Sequence, residues 1–400
     1  MTRGVFTQKA RKHRVVVVAS CLSVLGLAIS ACGSSSSGSG TSAAGSEITI
    51  GVDANLTGTD SAWDGPTVQA FTLHINQINA AGGVDGHKIN IVTLNANSDE
   101  TTAVSNVKQL IFQDNALALY GFGDTLEANA ALPIAASAKV PTLTESWGVA
   151  NLTSPYTFQL SNNLTFGSSV LIKYLSKTYK HIAITAENSS RGNEEVSEQT
   201  ALAKSDGFTG KIDVIRYEPN ATNFTPLVEQ LKADNPQVIL DNGASAADVT
   251  APMKAAQSFG LQTPWAGITM AIPNVITVGG PTLLSGSLTA IFVDYSKPQV
   301  KTLAALIKSK YHRAINYGDV QGWDAATLFA AALAKPGATS SRAGLQSAME
   351  SLSDVAVVGG PAGYTVSFSK GTGLAHAGYL ESAVTVQKYQ PDGTLAPVEP

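Results

Sequence analysis

From residue 47 onward, short runs rich in apolar and β-branched residues alternate with longer stretches whose apolar residues fall three and four apart. Residues 47–54 (EITIGVDA) read as a strand, and 67–83 (TVQAFTLHINQINAAGG) as a helix stopped by Gly82-Gly83. The order repeats with a strand at 88–95, a helix at 101–115, a strand at 116–123 and a helix at 126–139. It resumes with strands at 181–188, 211–218 and 237–243, each followed by a helix, at 195–207, 224–235 and 248–260. Strand–helix–strand alternation predicts an α/β fold of parallel sheets with helices on both faces. The pattern also recurs at longer range: Gly82–Gly121 aligns with Asp206–Gly243. Each copy holds G-x-x-G, Lys-Ile, a strand, a helix, an Asp-Asn turn, an apolar strand and a glycine. This predicts two Rossmann-like lobes, with ligands expected at the carboxyl ends of the strands and in the cleft between lobes.

The first 31 residues follow another pattern. Arg3, Lys9, Arg11, Lys12 and Arg14 precede a mostly apolar run, Val15 to Ala31, which is short for a membrane span. The layout is that of a secretory signal peptide and is set aside from fold reasoning. Ile29-Ser30-Ala31-Cys32 resembles the lipobox of bacterial lipoproteins, in which the cysteine thiol is lipidated and becomes the first mature residue. The alternative is an ordinary signal peptide with an incidental cysteine. Residues 33–46 are almost wholly Gly, Ser, Ala and Thr, so 32–46 is expected to form a flexible tether. No later segment is long and apolar enough to span a bilayer, which predicts an extracytoplasmic body held at the cell membrane by lipid.

Composition narrows the chemistry. Loss of the five basic leader residues leaves 21 Lys and Arg against 30 Asp and Glu, a net charge of −9, which argues against a nucleic-acid partner. Cys32 would be the one mature cysteine, since Cys21 leaves with the leader, so no intramolecular disulfide is expected. Histidines 13, 74, 87, 181, 312 and 376 are dispersed, without metal-ligand spacing. GFGDTL (121–126) lacks the third glycine of a dinucleotide fingerprint, and GASAA (243–247) lacks the closing glycine of a nucleophile elbow. No enzyme activity, metal or cofactor is therefore expected, a two-lobed hydrolase being the reading that would need a nucleophile and base.

ITIGVDANLTG, INQINAAGGVDGHKINIV, VPTLTESW, LTSPYTFQLSNN, NFTPLVEQLKADNPQVIL and GWDAATLFAAALA resemble the branched-chain amino-acid (Leu/Ile/Val-type) substrate-binding proteins of ABC transporters. The resemblance spans 47–393 and implies the type I periplasmic-binding fold, whose chain crosses between lobes three times. One lobe would comprise 47–163 plus 292–376, the other 164–291 plus 377–395. It further implies a monomeric solute-binding lipoprotein of an ABC importer, closing by hinge motion on a small amino acid or related carboxylate or amide. Its partner would be the permease; a ligand-sensing receptor component on the same fold is the alternative.

The resemblance also implies site residues. Thr125, four residues after Gly121, matches the Ser or Thr that receives the ligand carboxylate; the same hydroxyl could simply cap a helix. Trp63, in the loop after the first strand, matches an aromatic residue that covers the ligand. Ser146 and Trp147 fall in a loop that presents backbone and hydroxyl groups to the ligand, although the family's threonine there falls on Gly148. Arg191 sits where many relatives carry tyrosine. It could grip a carboxylate or pair with Glu194 and Glu195. Thr269 falls on the acidic residue that neutralises the ligand ammonium, a role that Glu145, Glu187 or Asp241 would have to take here. Ser245 is a cleft candidate from the other lobe. Two tryptophans favour a ligand with an aliphatic or aromatic body.

Overall fold

A computed structural model describes residues 47–148, 152–161 and 164–398. The leader, Cys32 with its expected lipid, and the tether to residue 46 lie outside the described residues. The first half of the chain runs β1 (Ile48–Ala54), α1 (Ser61–Ala80), β2 (Ile89–Asn95), α2 (Glu100–Phe112), β3 (Ala118–Gly121), α3 (Thr125–Ser137), β4 (Thr142–Thr144) and β5 (Thr157–Gln159). These strands form a sheet of order β2-β1-β3-β4-β5, parallel throughout. A second series follows: α4 (Leu164–Thr178), β6 (His181–Glu187), α5 (Ser190–Ser205), β7 (Lys211–Tyr217), α6 (Thr225–Asp234), β8 (Val238–Asp241), α7 (Ala246–Ser258), β9 (Trp265–Ala266), α8 (Pro273–Leu284) and β10 (Leu288–Ile291).

The chain then returns to the first sheet with α9 (Pro298–Tyr311), α10 (Tyr317–Leu333) and α11 (Arg342–Glu350), whose apolar residues share a core with those of β1 and α1. A small pair, β11 (Val355–Ala356) with β12 (Thr365–Val366), precedes β13 (Thr385–Tyr389) and β14 (Leu395–Pro397). The last two complete a seven-stranded sheet of order β14-β13-β10-β9-β8-β6-β7. Both sheets are parallel as expected apart from this finish, where β13 runs antiparallel to both β10 and β14. A strand entering from the other lobe, rather than through a crossover helix, is free to pair in either sense.

Inner strands are buried on both faces, as helix-covered parallel strands must be. Residues 50–54 of β1 are all buried, between the core of α1 and α10 on one side and that of α2 and α3 on the other. The exit from β3 depends on Gly121. Its φ is +110°, and a Cβ there would lie 2.0 Å from the Asp53 carbonyl oxygen. That close turn sets the carboxyl ends of β1, β3 and β4 side by side.

Candidate functional site

Asp124 is the N-cap of α3, its carboxylate accepting from the main-chain N–H of Leu126 (2.8 Å) and Glu127 (3.1 Å). Thr125 is thus the first helical residue, and the alternative in which its hydroxyl simply caps the helix does not hold. Instead its Oγ1 lies 3.0 Å from Ser146 Oγ. Gly148 packs beside this pair, for a Cβ on it would lie 3.1 Å from Thr125 Oγ1. Any larger side chain at 148 would crowd that hydroxyl.

The loop after β4 is held from behind. Gln159 Nε2 donates to the Ser146 carbonyl (2.7 Å), and Gln321 Nε2, from α10, donates to the carbonyls of Glu145 (3.2 Å) and Leu160 (2.6 Å). Trp147 leans on Tyr317, also from α10, with ring centroids 5.7 Å apart. Trp63 belongs to the first turn of α1 rather than to a loop. That helix starts six residues before the apolar periodicity does, because its first turn is mostly small and polar. Trp63 is half-buried, and its indole nitrogen would lie 3.2 Å from a Cβ on Gly123. Trp63, Thr125, Ser146 and Trp147 therefore gather at one rim of the first sheet.

Beneath the rim lie two carboxyls that sequence reading did not pair. Asp64 is fully buried and accepts from the Asn55 N–H (2.8 Å), while Glu145 is buried with Tyr120 Oη 3.5 Å away. Asp64 Oδ1 and Glu145 Oε1 have no hydrogen-bond partner among the described residues. Burial pushes the Glu145 carboxyl up to about 8; burial, then the neighbouring Glu145, drives Asp64 well above the usual range. Burial thus favours the protonated form of Glu145, which makes it a poor anion for a ligand ammonium. Asp241 is buried too and pushed up to about 7, although Thr185 Oγ1 and the Gly243 N–H donate to it. Glu187 is half-buried, with its main-chain carbonyl taken by Arg216.

Across the second sheet the candidates are engaged locally. Arg191 pairs with Glu195 one turn along α5 (2.8 Å), the surface alternative to gripping a ligand. Ser245 forms a capping box with Asp248 at the start of α7, its hydroxyl donating to that carboxylate (2.7 Å). Thr269 opens a short 3₁₀ turn after β9 and is half-buried. No group of three or more His, Cys, Asp or Glu able to hold a metal ion occurs among the described residues. Tyr317 and Gln321 escaped sequence reading because they reach the rim from a helix about 170 residues away along the chain.

The sequence model of the family described as "Periplasmic binding protein" matches residues 47–381. The chain belongs to the periplasmic binding protein family. Solved structures share the fold at low identity. The branched-chain amino acid transporter substrate binding protein of Streptococcus pneumoniae, in complex with isoleucine, is 18% identical with a TM-score of 0.73, covering 88% of this chain and 100% of its own. A leucine binding protein of Thermotoga maritima is 16% identical, with a TM-score of 0.69 and coverage of 88% and 98%. A solute binding protein of an ABC transporter from Rhodopseudomonas palustris, in complex with 3,4-dihydroxy benzoic acid, is 20% identical, with a TM-score of 0.70 and coverage of 88% and 96%.

Proposed function

We propose that the protein is an extracytoplasmic solute-binding component of an ABC importer, which encloses a small organic ligand between its two lobes and hands it to a permease. The observation that carries this reading is the hydroxyl pair of Thr125 and Ser146 at the carboxyl ends of β3 and β4, flanked by Trp63 and Trp147. A pair of hydroxyls can donate to a carboxylate or amide oxygen, and the two indoles can cover an aliphatic or aromatic body. Arg191, Ser245 and Thr269, at the carboxyl ends of β6, β8 and β9, would meet the ligand from the other lobe on closure. Binding involves no bond making, and closure follows from differential affinity for the closed state.

The lobes on this reading are 47–163 with 292–376, and 164–291 with 377–395, hinged at the three crossings between them. Burial raises the Glu145 and Asp241 carboxyls and Thr269 carries no charge, which favours a carboxylate or amide over a free amino acid at these positions. Lipidation at Cys32 would hold the body beside its permease; labelling by a fatty acid should disappear in Cys32→Ala.

A thermal-shift screen of residues 46–400 against amino acids, aromatic and aliphatic carboxylates and amides tests the central claim. One carboxylate or amide should raise Tm by several degrees, roughly as expected for ligand at 100 times its Kd. The Thr125→Val, Ser146→Ala double variant should weaken that ligand about tenfold or more. Turnover of the bound compound, or unchanged affinity in the double variant, would refute the reading.

A further inference from the structure

Three helix N-termini converge at one corner of the first sheet, and each has an aspartate at its N-cap: Asp60 on α1, Asp99 on α2 and Asp124 on α3. Between them lies a cavity of ≈ 520 Å³, lined by Thr59, Asp60, Asp99, Glu100, Asp124 and Glu127 among others, with no Lys, Arg or His in its wall. Helix capping accounts for Asp99 and Asp124, whose carboxylates accept from the N–H groups of Thr102 and of Leu126 and Glu127. It does not account for Glu100 or Glu127. Three helix ends supply roughly half a positive charge each, too little to balance five carboxylates.

Glu127 is the decisive residue. It is 2% exposed; Asn55 Nδ2 donates to its Oε2 (3.0 Å), and its Oε1 has no partner among the described residues. Asn55 is itself fully buried, and its Oδ1 accepts the Ser98 N–H at the cavity's lip (2.5 Å). The inner wall is thereby tied to the end of β1, and the acid is held in place rather than free to swing into water. Burial, with the charges of Asp124, Asp53 and Asp60 adding, pushes Glu127 up to about 7. A donor cation would satisfy Oε1 and relieve the repulsion together. The acids do not converge as metal ligands do, so the cation must bring its own spaced donors.

We propose that this cavity binds a small organic polycation, bearing two or more ammonium or guanidinium groups, through Glu127, Glu100 and Asp60. The cavity borders the Thr125–Ser146 pair through Asp124, but Glu127 and Glu100 belong to its wall and not to that pair. Isothermal titration calorimetry with spermidine at pH 8 and low salt tests it on the intact protein. Wild type should bind at a one-to-one ratio, and Glu127→Gln and Glu100→Gln should each weaken binding about tenfold. Glu100 is exposed, so its variant decides the matter should Glu127→Gln fail to fold. Glu229→Gln, exposed on α6 and remote in the fold, should leave binding unchanged, which separates the site from the general attraction of an acidic protein. No binding, equal losses in all three variants, or calcium chloride binding as tightly as spermidine would overturn the proposal. Its failure leaves the cleft reading standing, because that rests on the Thr125 and Ser146 variants.

Discussion

Residue chemistry was legible where a side chain acts through its own type and hidden where it acts through a distant neighbour. Thr125 and Ser146 were picked out separately, on a resemblance to related proteins, and meet through their hydroxyls. Arg191 and Ser245 were picked out as well, yet a glutamate one turn away and an aspartate three residues on engage them. Nothing in SAWDG signals the complete burial of Asp64 next to Glu145. Asp124 stands just before a helix, a position that marks it as a cap. Asp124→Ala should cost about 1 kcal/mol of stability by freeing the N–H groups of Leu126 and Glu127. Asp124→Asn, which keeps the acceptor, should cost a fraction of that. Urea denaturation checks both, and equal losses would mean that charge, not capping, is what Asp124 contributes.

Among elements, hydrophobic periodicity shows β1–β3 and β6–β8 with the helices α1–α3 and α5–α7 that follow them, but not the short β4, β5, β9 and β10, nor the antiparallel finish of β13 and β14. Nor did it show the close packing of α10 on α1. There Gly322 lies so near α1 that a Cβ would sit 2.1 Å from the Thr67 carbonyl oxygen. The same crossing carries Tyr317 and Gln321 to the rim, so it sets the site's back wall. Gly322→Ala gains up to about 1 kcal/mol of helix propensity, whereas forcing apart packed backbones costs about 1–3 kcal/mol, so the net change should be destabilising. Gly65, also in α1, has open space where its Cβ would be. Gly65→Ala should therefore be neutral or stabilising by up to about 1 kcal/mol. Chemical denaturation of the pair isolates packing from propensity, and similar effects in both would show that the helices part easily.

At the scale of the whole molecule, the buried carboxyls decide how stability responds to pH. Burial is the leading cause in each case: Asp53, Glu127 and Asp241 are pushed up to about 7, Glu145 to about 8 and Asp324 to about 6, and Asp64 is raised well above the usual carboxylate range. A raised carboxyl keeps its proton in the folded protein at a pH where the unfolded chain has lost it. The folded state then binds more protons, so stability falls as pH rises between the ordinary carboxylate range near 4 and the raised values near 8. Each group contributes on the order of 1 kcal/mol per pH unit while only its unfolded form is ionised. His74, half-buried with its ring stacked 3.9 Å from that of Trp323 and shifted down by desolvation, opposes the trend below its ordinary value of 6.5. One histidine against six carboxyls cannot reverse it. Calorimetry from pH 4.5 to 8.5 should show Tm highest in the acidic half and declining toward 8. Glu145→Gln carries no charge to bury, so it should flatten the decline most between pH 6 and 8. A Tm that climbs steadily across the range would mean that these carboxyls ionise freely, with water or cations reaching them inside the fold.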